Sequence, residues 1–248
     1  MKVVVTGKGG AGKTTVAGTL CRLLSRAGHT VVAVDCDPSP NLGVTLGLPY
    51  DVVETMPAVL NGLIASGHTH SDVRPEPEEL LARYGLDAPD GVRLVATGRI
   101  EPATENCLCC GSHQSTRAFF GGLSAQDRIV VADLEAGMND LLWTKPSPED
   151  VVVAVAEPSA KSVEIARRAV SIARALGVQR IVGVANRVTD EDQRQHVEQT
   201  LGVPTFGIPA DPVVQRADQL GRSPLDLDPT APAVRAVQAL AERLLSPA

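Results

Sequence analysis

Aromatic side chains are nearly missing: Phe, Trp and Tyr make up 2% of the 248 residues. The core therefore has to be built largely from Val, Leu, Ile and Ala. No apolar run approaches the ~20 residues that cross a bilayer as a helix, so no membrane-spanning helix is expected. Positive charge is in deficit, with a formal net charge of −6. That balance argues against nonspecific binding to nucleic acid or to an anionic membrane surface. Nor does the chain open on a charged-then-apolar leader, since Met1 runs directly into the strand-like KVVVTG. A cytoplasmic protein is the expectation, and there cysteines are thiols or metal ligands more often than disulfides. No internal repeat or low-complexity tract is evident.

What is present is an alternation. The runs KVVVTG, HTVVAVD, GVRLVATG, RIVVADL, DVVVAVAE, RIVGVAN and VPTFGIP read as strands. Helical patterns run from Lys13 to about Arg26 and through SAKSVEIARRAVSIARAL, DEDQRQHVEQTL and APAVRAVQALAERLL. Nearly continuous apolar strands separated by helices predict an α/β fold, a mostly parallel β-sheet with helices on both faces. The polar, Pro-containing stretch around 49–90 reads as helical excursions and loops inserted into a single domain covering 1–248.

Gly7 to Thr14, GKGGAGKT, satisfies G-x-x-x-x-G-K-[ST] in full, after a strand and opening a helix. Glycine lets such a loop curl until successive backbone N–H groups surround phosphate oxygens. Gly9, Gly10, Ala11, Gly12, Lys13, Thr14 and Thr15 are thereby assigned to nucleotide binding. The helix N-terminus adds partial positive charge, Lys13 reaches the β/γ-phosphates, and the Thr14 hydroxyl is a Mg²⁺ ligand. Two acidic segments close later strands: VDCDPSPNLG with Asp35 and Asp37, and VVADLEAG with Asp133 and Glu135. Ligands of open α/β sheets bind at such strand ends. Hydrolysis needs a group to orient the attacking water and carboxylates to hold hydrated Mg²⁺.

Lys8 adds a second lysine near the start of the loop. KGGxGKT with that lysine resembles the deviant Walker A (SIMIBI) class of P-loop NTPases, which includes MinD, ParA and the nitrogenase iron protein. The resemblance implies a Mg²⁺-dependent ATPase that forms a homodimer on ATP, with Lys8 crossing to the partner's nucleotide. It gives catalytic roles to Lys8, Lys13, Asp37 and Asp133. Asp37 falls at the water-orienting position and Asp133 at the Walker B position, both meeting Mg²⁺ through water; Asp35 and Glu135 match less closely. GTPases of this superclass read guanine with N-K-x-D, whereas ANRVTD carries Asn186 and Arg187 but Thr189 where the Asp would stand. That departure favours ATP. By likeness to related ATPases the base lies between Asn186 and GIPADP, which makes Pro209, Ala210 and Asp211 contacts.

Three of the five cysteines sit in CLCCGSHQ, from Cys107, with His113 close behind. Metal ligands, a redox pair and small buried residues are all open readings of such a cluster. Cys107 and Cys109 form C-x-C, and two such loops facing each other across a dimer would supply four thiolates, a set that suits Zn²⁺ or Ni²⁺. Taken with DCDPSPNLG, DLEAG, AEPSAKSVEIARR and GRSPLD, the C-x-C makes the chain look like the CooC-type ATPases. These are the nickel-insertion accessory proteins of carbon monoxide dehydrogenase, and their C-x-C cysteines bind metal between protomers. The resemblance implies a metallochaperone with a client metalloenzyme, to which Cys110 and His113 are additions. DLEAGMND lacks the cysteine that an iron protein-like reductase would need for a bridging cluster. A MinD- or ParA-type positioning ATPase is the other alternative, although AVRAVQALAERLL lacks the polybasic face of membrane-bound members. Cys21 and Cys36 read as packing residues, and His68 and His70 as solvated loop residues.

Overall fold

The computed structural model describes residues 1–67, 75–99, 117–135 and 139–246. Eight strands form one sheet: β1 (Lys2–Gly7), β2 (Val31–Asp35), β3 (Leu86–Asp87), β4 (Arg93–Ala96), β5 (Ile129–Asp133), β6 (Val151–Ala156), β7 (Arg180–Val188) and β8 (Thr205–Pro209). Their order is β3-β4-β2-β5-β1-β6-β7-β8. Neighbours pair in parallel throughout, except the two-residue edge strand β3, which runs antiparallel to β4.

The Val- and Ala-rich strands are uninterrupted because both of their faces are covered. Val3 and Val5 point into one core with helix Lys13–Arg26 and helix Pro232–Leu245. Val4 points into the other, which holds Tyr84, Phe119 and Phe120 and part of helix Ala160–Ala175. A third cluster sits between helix Ala160–Ala175 and helix Glu191–Leu201. Hence three of the six aromatic residues gather on one face, and the fully buried residues of the opposite core include no aromatic, with only the partly buried Phe206 packed against them among the described residues.

Topology places the site. After β1 the chain builds β2, β3 and β4 on one side and returns as β5 beside β1. It then lays β6, β7 and β8 on the other side. Crossovers leaving in opposite directions open a crevice at the C-terminal end of β1. Gly7 sits at that end with φ 149°, where an added Cβ would lie 2.2 Å from the Val155 carbonyl oxygen of β6. Only glycine permits that approach.

The seven sequence-read strands and four sequence-read helices all appear. Sequence periodicity misses β3 and several short helices, among them Leu42–Leu46, Pro212–Leu220 and Pro224–Leu227. Leu42–Leu46 and Pro224–Leu227 span little more than one turn, too short for a 3.6-residue period to repeat, and Pro212–Leu220 and Pro224–Leu227 start on proline at the first turn. The 49–90 stretch forms helices Tyr50–Thr55, Val59–Ala65 and Pro77–Tyr84 before β3. No described helix is long and apolar enough to cross a membrane.

Candidate functional site

The loop between β1 and helix Lys13–Arg26 has the backbone of an anion cradle. Gly10 and Gly12 adopt φ 79° and 91°, and Ala11 N donates to the Lys8 carbonyl at 3.2 Å. The helix has no side-chain cap at Gly12 and no acidic residue in its first turn. In contrast, Asp190 and Asp211 cap later helices with their carboxylates. The uncapped N–H groups and dipole of the first helix therefore face the crevice, where an anion would satisfy them. Lys13 is buried beneath the loop, with Nζ 3.5 Å from the Lys8 carbonyl oxygen. Lys8 is half-buried at the loop's edge; among the described residues its Nζ reaches only the neighbouring Gly9 carbonyl, at 3.3 Å.

Two carboxylates meet behind the loop. Asp35 and Asp133 are paired residues of adjacent strands β2 and β5, and both are buried. Burial, with repulsion from Asp35 next, pushes the Asp133 carboxyl up to about 7. Burial likewise raises Asp35 to about 6. Thr14 hydrogen-bonds the Asp133 carboxylate, but Asp133 Oδ1 is buried without a partner among the described residues. A buried, unpartnered carboxylate oxygen beside a Thr hydroxyl fits a divalent cation, which would return both carboxyls to their charged form.

Among the described residues, no three or more His, Cys, Asp or Glu side chains converge to hold a metal by themselves. A cation here would take water and phosphate oxygens besides Thr14, as Mg²⁺ does. Asp35 fastens the following loop, accepting from Asp37 N at 3.1 Å and Leu42 N at 2.8 Å. Asp37 is half-buried on that loop and accepts from Ser39 N at 2.8 Å. Glu135 ends the described segment after β5, half-buried.

Beside the loop opens a cavity of about 320 Å³. Gly12, Thr15, Asn186, Pro209, Ala210 and Asp211 are among its lining residues, with helix Pro232–Leu245 as the far wall. The structure thus brings the phosphate loop, Asn186 and the end of β8 around one space adequate for a nucleoside. Asn186 Nδ2 donates to the Ala11 carbonyl at 2.8 Å. A Cβ on Gly12 would sit 2.2 Å from that nitrogen, a second reason for glycine there.

Asp211 has a structural occupation that the sequence does not reveal. Its Oδ1 accepts from Val213 N at 2.8 Å and its Oδ2 from Ala233 N at 2.9 Å. It caps two of the helices that wall the cavity. Sequence reasoning also passed over Glu157 and gave no role to Arg187, which lines the cavity. The signal for Arg187 was its place directly after Asn186.

Cys107, Cys109, Cys110 and His113 lie outside the described residues, as do His68 and His70. Cys21 and Cys36 are buried in the two principal cores, as packing residues would be.

The model of the CobQ/CobB/MinD/ParA nucleotide binding domain (CbiA) matches residues 2–235. An uncharacterised ATP-binding protein of Methanocaldococcus jannaschii is 30% identical over 244 residues, 93% of each chain. The carbon monoxide dehydrogenase accessory protein CooC of Rhodospirillum rubrum is 30% identical over 241 residues, 92% of this chain and 91% of its own. Among solved structures, the septum site-determining protein MinD of Pyrococcus horikoshii, complexed with Mg-ADP, superposes with a TM-score of 0.74. It does so at 20% identity over 99% of this chain and 95% of that one.

Proposed function

Because the chain belongs to the CobQ/CobB/MinD/ParA nucleotide-binding family, we propose that it is a Mg²⁺-dependent, dimerising ATPase that drives metal delivery into a client enzyme. The observation that carries the ATPase reading is Asp133, buried with one oxygen unpartnered among the described residues, next to Thr14 at the base of an uncapped helix. An ATP γ-phosphate would lie against Lys13 and the loop N–H groups, with adenosine in the adjoining cavity. Thr14 would ligate Mg²⁺ directly, with Asp37 and Asp133 reaching it through water. Held there by Thr14 and, through water, by Asp37 and Asp133, Mg²⁺ would neutralise the charge that develops on the phosphates. Asp37 orients the attacking water, and Lys8 of the partner protomer adds positive charge to the same phosphates.

Metal delivery is supported by the CooC relative and by the C-x-C of Cys107 and Cys109. In this reading ATP closes the dimer and completes a four-thiolate site, and hydrolysis opens it. The metal is cargo, Ni²⁺ or Zn²⁺. The client is a metalloenzyme, and its identity as carbon monoxide dehydrogenase rests on the relative alone. The protein works in the cytoplasm as one domain, with neither nucleic acid nor membrane as partner. ATP and metal affinities must then be coupled reciprocally.

The test is metal content and oligomeric state of anaerobically purified protein with ADP or ATP, beside a Cys107→Ser, Cys109→Ser variant. One nickel or zinc per dimer, lost in the variant and tighter with ATP, is the expected result. An ATP-dependent dimer with no thiolate metal would refute the delivery reading in favour of a positioning ATPase. A brown protein with visible absorbance would refute it in favour of a reductase.

A further inference from the structure

Arg187 is built in an unusual way. In the β7–β8 ladder Asn186 pairs with Ile208 and Val188 pairs with Pro209, so Arg187 is the extra residue of a bulge. Its φ is 60°, a left-handed conformation that a long side chain rarely adopts. Bulges and left-handed residues of this kind persist where the surroundings over-determine them, and they re-aim a side chain. Here the side chain is aimed at the phosphate loop: the guanidinium donates to the Gly10 carbonyl at 3.3 Å. The same nitrogen is ion-paired with Glu157, just beyond the end of β6.

Asn186, the preceding residue, holds the next carbonyl of the same loop, that of Ala11. Two consecutive loop carbonyls are thus held by two consecutive residues of one bulge. A trans peptide is planar, so fixing its carbonyl also fixes the N–H on its other side. At the Gly10–Ala11 peptide that N–H closes the turn onto the Lys8 carbonyl. At the Ala11–Gly12 peptide it is the Gly12 N–H, directed away from Asn186.

We propose that Arg187, held in place by Glu157, is a positioning residue that together with Asn186 keeps the phosphate loop in its anion-binding shape before a nucleotide arrives. This rests on the nucleotide-site reading above and adds to it a tie from the end of β6 to the loop. Free glycine-rich loops sample many backbone shapes, and binding must otherwise order them at a cost in affinity. The Arg187–Glu157 pair is itself too exposed, at 55% and 27%, to contribute much stability as an ion pair. Its value is in aim.

Opposite signs separate this role from simple attraction. If Arg187 were only a cation near the phosphates, removing the negative charge of Glu157 would strengthen anion binding. If Glu157 positions Arg187, the same change weakens it. The experiment measures inorganic pyrophosphate, ADP and adenosine binding by calorimetry for wild type, Glu157→Gln and Arg187→Ala. Thermal melts check that each variant is folded. Arg187→Ala is expected to weaken pyrophosphate and ADP about fivefold, and adenosine by a clearly smaller factor. Glu157→Gln should weaken both phosphates by a smaller factor.

Stronger pyrophosphate binding in Glu157→Gln would overturn the positioning role. Loss of adenosine affinity with pyrophosphate unchanged would overturn it too, by placing Arg187 on the base. Wild type that binds neither pyrophosphate nor ADP would instead sink the nucleotide-site reading itself.

Discussion

Replacing Asp211 by Ala should damage the fold more than the choice of base. Its two oxygens accept from Val213 N and Ala233 N, capping helix Pro212–Leu220 and the start of helix Pro232–Leu245. The side chain is buried, so water would not readily take over either bond. Each lost cap costs about 1 kcal/mol, and stranding two N–H groups near an apolar wall brings the total to about 3 kcal/mol. For a chain of this size each kcal/mol moves the melting temperature by about 2–4 °C, so Asp211→Ala should melt about 6–12 °C below wild type. Asp211→Asn keeps one acceptor and should lose about half as much. The assay is thermal unfolding of both variants without nucleotide, followed by ADP and GDP titrations. ADP should remain preferred over GDP in each. A melting temperature unchanged in Asp211→Ala, together with loss of adenine preference, would refute the capping account and assign Asp211 to base reading.

The carboxyl pair predicts a pH dependence. Asp133 and Asp35 are raised to about 7 and about 6, so the native state keeps protons that the unfolded state has released. Without Mg²⁺, stability should therefore fall as pH rises from about 4 to about 7 and level off above that. Asp133→Asn should be more stable than wild type at pH 8 by about 2 kcal/mol and nearly equal at pH 4; parallel urea profiles would dismiss the raised carboxyl. Lys8→Ala should bind ADP as wild type does but lose ATP-induced dimerisation and turnover, because among the described residues of its own chain Lys8 Nζ reaches only Gly9. Light scattering with ATP decides that, and a normal ATP dimer would count against a role in trans. Arg22, buried between Asp90 at 2.6 Å and Asp226 at 2.8 Å, should cost about 2 kcal/mol as Arg22→Ala. An unmoved urea midpoint would show the pair to be idle.

The layers and one end of the site are legible in the residues alone. Short, continuous Val-rich runs alternating with longer helical patterns read as strands covered on both faces, and GKGGAGKT after such a strand reads as a turn into a helix. Lys13 and Thr14 follow from that spacing, because the glycine pattern and the helix start are local; the ties from Asn186 and Arg187 that hold the loop carbonyls are not. What the tertiary structure decided is everything that depends on strand order. Asp35 and Asp133 are 98 positions apart in the sequence, yet they become neighbours because β5 inserts between β2 and β1. Their raised carboxyls are a property of shared burial, which no local pattern encodes. Asp211 reads as a site residue until its oxygens are seen on two helix termini. Arg187 reads only as the residue after Asn186 in ANRVTD until the bulge turns it onto Gly10. Periodicity reports which face of an element is buried; it carries no information about which element lies against that face, and there the site is assembled.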